Sequence, residues 1–511
     1  MRSIGLALAA LAPLAAQADA QAQLTRTGGV LPGLVSYQLS GDPLELFILM
    51  PSLSAGPFPL ALIDPLDNRV LEVGTDLQSL WTTSLLDATG SATVIYPLPN
   101  VPALQGLPLN AQFLTVPGAP TLVDDLSNPT RFRMAFAGSS ENALSDEPAL
   151  RDAHSATELD DGRVLLAGGL GEDALMNAIA LDDFVLFDPQ TQSFASTTGQ
   201  MAAARAQHAA VKLDDGRVLL IGGADENEQT LASCEIWDPG TGLASPAASM
   251  SSPRVLHTAT KLSDGRVLVV GGASQFTTTD LIASLANLLD STEIYDPVSD
   301  SWSAGPSLPA NRAAHAASLA GNGKVLITGG IEVTLLFGLP VPAIVNDCRL
   351  YDPATNSIQN ASDFSDSRAL HAQVTLDDGR VLVSGGAQAD FVLLTATPLA
   401  SSRVYNPNTD SWTNGGDMLS ARGFHQLLNI GGEVLALGGL SSVDAATFTG
   451  TSEQLIERSG QGLIAWSAAG NMLDPRPVAV SVAIEGGERI LTTGSIDSLT
   501  GNDLSAEIFV P

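Results

Sequence analysis

The chain has 511 residues, of which 55 are acidic and 23 are basic, so its formal net charge is −32. Such an acid excess repels phosphate backbones and anionic lipid headgroups, and we expect no nucleic-acid partner. The length exceeds the ~250 to 300 residues at which a single core stops growing, so two domains, or one domain and a repeat array, are expected.

Residues 1–20 have the organisation of a secretory signal peptide. Arg2 precedes an apolar run, Ile4–Ala16, and the small-residue pattern ADA follows at positions 18–20. The run is too short to span a bilayer. We therefore expect an exported protein, secreted, periplasmic or at the cell surface, with no membrane insertion after cleavage.

Residues 21–129 form the first predicted domain. Short β-rich runs such as LVSYQLS and ELFILM alternate with turns of Gly, Pro, Asn and Asp. This pattern predicts a small antiparallel β-sandwich or barrel. The region has no histidine or cysteine, and its residues indicate no catalytic constellation.

Beyond residue 130 the chain repeats itself. Six copies begin with Arg-x-x-His and a seventh has Ala479 at the histidine position; their first residues are Arg151, Arg205, Arg254, Arg312, Arg368, Arg422 and Arg476. Each copy continues with a strand, a turn rich in Asp and Gly, an apolar strand such as VLVV, a variable loop and an element such as EIWDP. The apolar strand ends in Gly-Gly in the first six copies and in Thr-Gly-Ser in the seventh. Asp-Gly between apolar runs predicts a tight hairpin, and a continuously apolar strand predicts a sheet covered on both faces. We expect one four-stranded sheet per copy.

This pattern resembles the kelch repeat, in which an apolar strand ending in Gly-Gly is followed by a Tyr and then a Trp. The resemblance implies an all-β fold, a seven-bladed kelch-type β-propeller over residues 130–511, in which the seventh, degenerate blade is the least regular. The chain ends in AEIFVP, which matches CEIWDP of the second copy, so the last sheet lacks a fourth strand. A propeller must close to avoid an open edge. We expect residues 130–138 to supply the missing strand.

The seven repeat arginines are the first candidate binding residues. If the kelch strand order holds, they lie at one mouth of the central channel, where a ring of guanidiniums would bind a carboxylate or an acidic sugar. The alternative is that each arginine pairs with an acid of its own or the next repeat; the candidate acids are Glu235, Glu293, Glu453 and Glu507.

The variable loops of copies 3, 4 and 5 are the second candidate. They are longer and more apolar than the loop of copy 2, and they include Phe337 and Phe391. Apolar surface left in water costs about 25 cal/mol per Å². We therefore expect these loops to meet the N-terminal domain, a second copy of the chain or an external partner, although self-packing is the simpler alternative.

The sequence indicates no cofactor and no metal. All six histidines follow the repeat, which favours a structural role, and Cys234 and Cys348 occupy equivalent places in non-adjacent repeats, so no disulfide is expected. The copper oxidases of this fold bind copper through histidines that do not follow the repeat and use a tyrosine cross-linked to cysteine. In this chain every histidine and both cysteines follow the repeat, so that activity is not expected. The expected function is an exported non-catalytic binding or scaffold protein that recognises a protein or a glycan. The alternative is a carbohydrate-active enzyme, a sugar isomerase or oxidase, on the same fold.

Overall fold

The computed structural model describes residues 21–60, 69–116, 123, 125–149, 151–172, 178–277, 284–337, 339–390, 395–441, 455–460, 465–473, 476, 479–494 and 506–511. The predicted signal peptide and Phe391 lie outside these residues. The chain divides into two compact units, Met1–Met134 and Ala135–Pro511. The division falls five residues after the predicted domain boundary.

The N-terminal unit contains two antiparallel sheets. The three-stranded sheet runs in the order Gln23–Gly28, Gly33–Ser40 and Ser91–Leu98, and the four-stranded sheet in the order Thr130–Arg133, Pro108–Val116, Leu46–Ser52 and Thr82–Leu85. Smaller elements are the pair Ala55–Pro59 and Val70–Val73, the short strand Val30–Leu31, and the 3₁₀ turns Gln78–Leu80 and Pro102–Leu104. Alternating buried residues such as Val35, Tyr37 and Leu39 form its core. This arrangement is the predicted sandwich-like domain.

The second unit contains seven four-stranded antiparallel sheets within the described residues, numbered here from the repeat that begins at Arg151. The first strands are Ser155–Glu158, Ala209–Lys212, Thr258–Lys261, Ala316–Leu319, Ala372–Thr375, Gln426–Ile430 and Val480–Ile484. The second strands are Val164–Ala167, Val218–Ile221, Val267–Val270, Val325–Thr328, Val381–Ser384, Glu433–Leu437 and Arg489–Thr493. The third strands are Asp183–Asp188, Cys234–Asp238, Thr292–Asp296, Cys348–Asp352, Ser401–Asn406, Leu455–Gly460 and Glu507–Phe509. The outer strands are Ser193–Gln200, Leu243–Ala247, Ser301–Ala304, Ser357–Asn360, Ser411–Asp417, Ser467–Asn471 and, for sheet 7, Ser140–Asn142.

The seven sheets form a ring. The first strand of each sheet lies beside the first strand of the next, and that of sheet 7 lies beside that of sheet 1. Hydrophobic clusters fill the space between neighbours: Leu219 and Ile221 of sheet 2 pack with Val267, Val269 and Tyr295 of sheet 3. The second strands are buried on both faces, as their apolar sequences predict. The fold is a kelch-type β-propeller.

The glycine pair after the second strand of sheets 1 to 6 has a steric cause. Gly222 and Gly223 both have positive φ, 62° and 98°. A Cβ on Gly223 would lie 2.6 Å from the carbonyl oxygen of Ala206 and 2.9 Å from Cβ of His208. The Gly223 N–H donates to the carbonyl of Arg254 at 2.9 Å. A side chain at Gly223 would therefore collide with the start of its own repeat, at Ala206 and His208.

The strand that closes sheet 7 differs from the prediction. Ser140–Asn142 pairs with Glu507–Phe509, whereas Thr130–Arg133 pairs with Pro108–Val116 in the N-terminal unit. The prediction that residues 130–138 supply the closing strand is therefore wrong by a few residues. Thr130 and Phe132 are buried and alternate with two half-buried arginines. Pairing in the N-terminal sheet places the two buried residues on one face and the two arginines on the other.

In the described part of the chain, three repeats add a two-stranded hairpin after the glycine pair. These hairpins are Leu170–Glu172 with Ala178–Ala180, Ile331–Leu336 with Leu339–Ile344, and Ala387–Asp390 with Thr395–Pro398. The remaining elements are the short strand Ala135–Phe136 and the 3₁₀ turn Glu485–Gly487. The hairpins of repeats 4 and 5 lie side by side. They therefore place two of the three predicted apolar loops, those of copies 4 and 5, next to each other.

Candidate binding site

The seven repeat arginines lie in the interior, and none is more than 1% exposed. Each donates from Nη1 to the carbonyl of the first glycine, or its equivalent Gly494, after its own second strand, at 2.8 to 3.3 Å. Ion pairs between described residues join six of them to a carboxylate; the pairs are Arg151 with Asp183, Arg205 with Glu235, Arg254 with Glu293, Arg312 with Asp347, Arg368 with Asp366 and Arg476 with Glu507. The structure supports the ion-pair alternative. The arginines that it describes form no guanidinium ring open to solvent, because each side chain holds its own sheet together.

The repeat histidines link adjacent sheets. Five of them place Nε2 2.8 to 3.0 Å from a hydroxyl of the preceding sheet; the pairs are His154 with Thr493, His208 with Ser155, His315 with Thr258, His371 with Thr328 and His425 with Ser384. Burial, reinforced by the nearby repeat arginines, lowers the pKa of all six, to about 3 for His208, His257, His315 and His425. The histidines are therefore neutral structural groups at physiological pH.

His257 is the exception among these histidines. Its two ring nitrogens are buried without a hydrogen-bond partner among the described residues. The hydroxyl comes either from the residue after the preceding histidine or from the end of the preceding second strand, and here those positions hold Ala209 and Ile221. The link between sheets 2 and 3 is therefore missing.

The hairpin of repeat 4 has a fixed base and an exposed apolar tip. Ile331 and Val333 are buried at its base, and the side chain of Asn311 bonds both the N–H and the carbonyl of Val333, at 2.9 and 3.1 Å. At the tip, Leu336 is 57% exposed and Phe337 is 97% exposed. The structure thus presents one of the two predicted phenylalanines to solvent on a rigid support.

The described residues contain no group of three His, Cys, Asp or Glu side chains arranged to hold a metal ion. Cys234 and Cys348 are both buried and free. No helix in the described part of the chain is long and apolar enough to cross a membrane.

Comparison with known proteins supports the kelch repeat. No family model matches the chain. A stretch is 30% identical over 161 residues to Kelch-like protein 15 of Mus musculus, covering 29% of this chain and 26% of that protein. Another is 32% identical over 95 residues to Kelch-like protein 23 of Homo sapiens, covering 19% of this chain and 16% of that protein. The chain thus spans about a quarter of the length of the first curated relatives that it matches.

Among solved structures, the chain resembles a fungal alcohol oxidase of the AA5 family in complex with copper. The TM-score is 0.55 at 14% identity, and the match covers 73% of this chain and 76% of that one. At this identity the likeness shows the fold alone. The chain therefore carries kelch repeats folded as a β-propeller.

Proposed function

We propose that the chain is an exported, non-catalytic kelch propeller that binds a protein partner through the hairpin of repeat 4. The tip of that hairpin carries the proposal, because Phe337 is 97% exposed. Neither burial nor backbone preference explains a phenylalanine there. Its φ of 51° lies in the left-handed region, which favours Gly or Asn and disfavours a bulky side chain.

The matched relatives are kelch-like proteins, and kelch propellers that bind proteins would use such variable loops on a rigid ring. Aromatic side chains held without a large entropy cost are the usual anchors of protein interfaces. The fixed base of the hairpin meets this requirement, because Asn311 and the buried Ile331 hold the strands before any partner arrives. Export agrees with the signal-peptide pattern of residues 1–20 and is part of the proposal.

The test compares two equally exposed apolar residues. Phe337→Asn removes the aromatic side chain and suits the left-handed turn, whereas Val298→Ser changes a residue that is 95% exposed on an outer turn of sheet 3. Proteins captured by the wild-type chain are purified, and their affinities are measured for all three forms. We expect Phe337→Asn to weaken binding by about tenfold or more and Val298→Ser to leave it unchanged.

Equal affinity of the Phe337→Asn form would contradict the proposal. Concentration-dependent sedimentation of the wild-type chain that disappears in Phe337→Asn would assign the surface to a second copy of the chain instead. Turnover of an alcohol or a sugar, measured as hydrogen peroxide release or isomer formation, would support the carbohydrate-active alternative.

A further inference from the structure

The third strands of the sheets carry a repeated glutamate that is replaced by arginine in two neighbouring sheets. In sheets 2, 3 and 7 the residues are Glu235, Glu293 and Glu507, which accept hydrogen bonds from the repeat arginines at 2.7 to 2.9 Å. Each also accepts a backbone N–H from the segment before that arginine. At the same position in register, sheets 4 and 5 have Arg349 and Arg403.

In repeat 4, additional carboxylates balance the positive charge of the arginine that replaces the glutamate. Arg312 donates to Glu332 at 2.6 Å and also to Asp347, and Asp347 pairs with Arg349 as well. Two guanidiniums therefore face two carboxylates. The cluster is as neutral as the single Arg–Glu pairs of sheets 2 and 3.

In repeat 5, the described residues provide no second carboxylate to balance the added positive charge. Asp366 alone accepts from both Arg368, at 3.3 Å, and Arg403. The Arg368 side chain is fully buried and lies 5.2 Å from the centroid of the Phe364 ring. Burial lowers the pKa of Arg368 to about 10, with Asp366 opposing and Arg403 adding to the shift. One carboxylate thus serves two guanidiniums, and Arg403 is still 20% exposed.

We propose that Arg403 receives a carboxylate from the protein partner, whose apolar residues pack against the neighbouring hairpin tip. This inference rests on the proposed function and names the partner's chemistry: a segment with acidic side chains beside apolar ones. The third strand that carries Arg403 begins where the hairpin of repeat 5 ends, and that hairpin lies against the hairpin of repeat 4. A six-residue hairpin strand is about 20 Å long, so a short extended segment reaches from tip to base.

The global charge sharpens this recognition. A net charge of −32 repels an acidic segment from most of the surface, so the local excess of positive charge selects the place where such a segment docks. The Arg403 side chain is 20% exposed. Its guanidinium already donates to Ser365, Ser402 and Asn414 as well as to Asp366, so the incoming carboxylate would bind through charge and the remaining Nη2 N–H.

The test uses two synthetic peptides with the same apolar residues, one with glutamates and the other with lysines in the intervening positions. We expect the glutamate peptide to bind the full chain, less tightly at higher salt, and the lysine peptide to bind more weakly. Arg403→Glu should reduce the affinity for the glutamate peptide by roughly tenfold or more. Arg380→Glu, an equal charge change at a hairpin turn where the side chain is 30% exposed, is the matched control.

Arg403→Glu replaces the local excess of positive charge by an excess of negative charge, because the new carboxylate and Asp366 would then both face Arg368. Circular dichroism and the melting temperature of the variant are measured first, and the affinities are compared only at temperatures at which both forms are folded. Tight binding of the lysine peptide, no binding of the glutamate peptide, or no effect of Arg403→Glu would overturn the inference. If Phe337→Asn lowers the affinity for the captured partner and Arg403→Glu does not, the proposed function stands and this inference fails.

Discussion

Single residues that break the repeat show which contacts the repeat requires. The sequence predicts a structural role for the histidines, but the hydroxyl partners are recognised only when the register of adjacent sheets is known. Thr328 and Thr258 occupy different strand positions, yet both bond the histidine of the following sheet. Because either position serves, no fixed spacing in the sequence reveals the link.

Ala209→Ser should supply the missing link to His257. Ser155 stands at the equivalent position and bonds His208 at 2.8 Å. A new hydrogen bond to a buried imidazole should raise the free energy of unfolding by about 1 kcal/mol. Urea unfolding measures this gain. Ala316→Ser is the control, because the next histidine, His371, already bonds Thr328; equal gains in both variants would show that His257 is not the cause.

Glu147→Met should stabilise the protein most at high pH. Four other repeats place a methionine four residues before the arginine, and Glu147 is only 5% exposed. Burial raises the pKa of Glu147 to about 7, with Arg151 opposing the shift. The folded pKa exceeds the unfolded value, so the stability that Glu147 contributes is complete below pH 4.5 and is lost as the pH rises through 7.

The gain from Glu147→Met should therefore approach about 3 kcal/mol near pH 8 and shrink towards pH 5. Chemical denaturation at the two pH values measures the difference. An identical gain at both would show that Glu147 is ionised equally in the folded and unfolded chain.

At the scale of elements, the sequence predicts those that carry their own local signal. The Asp-Gly turns, the apolar second strands and the glycine pairs were all predicted from residue type. The closing strand was not, because Ser-Glu-Asn has no strand propensity and forms a strand only through pairing with Glu507–Phe509. The neighbouring Thr130–Arg133 carries the stronger alternating pattern and pairs elsewhere.

Ala143→Pro should open sheet 7. The N–H of Ala143 donates to the carbonyl of Ala506 at 2.8 Å, just beyond the closing strand, and proline removes this donor. We expect a loss of about 3 kcal/mol and faster hydrogen exchange in Arg489–Thr493, the second strand of that sheet. A proline at the exposed Asp146 is the control. Unchanged exchange in the Ala143→Pro form would show that the pairing does not close the ring.

At the scale of the whole molecule, the repeat determines the ring, and the proposed function rests on the irregularities of the repeat. The replacement of Glu by Arg at position 403 is visible in the sequence, since CEIWDP and SRVYNP align directly. Its consequence is not, because Asp366 lies outside that element and its sharing by two guanidiniums depends on the fold. The exposure of Phe337 likewise depends on where the hairpin projects.

The ring should lose stability in mild acid because its histidines are buried and neutral. Their folded pKa values are lowered, to about 3 in four cases, from the ordinary 6.5. Between these values the unfolded chain binds protons that the folded chain does not, so stability is complete above pH 6.5 and falls as the pH drops towards 3. Each histidine contributes up to about 1.4 kcal/mol per pH unit. Glu147, Glu158 and Glu332, whose pKa values burial raises, act in the opposite direction, but they are three groups against six.

The melting temperature should therefore fall steeply between pH 6.5 and 5, and His208→Gln should make the fall shallower. Glutamine keeps a donor for Ser155 and binds no proton, so the variant takes up one proton fewer on unfolding. Asp378→Asn, at an exposed turn, is the control for a general change in charge. A melting temperature that stays constant from pH 8 to pH 5 would show that the histidines accept protons without separating the sheets.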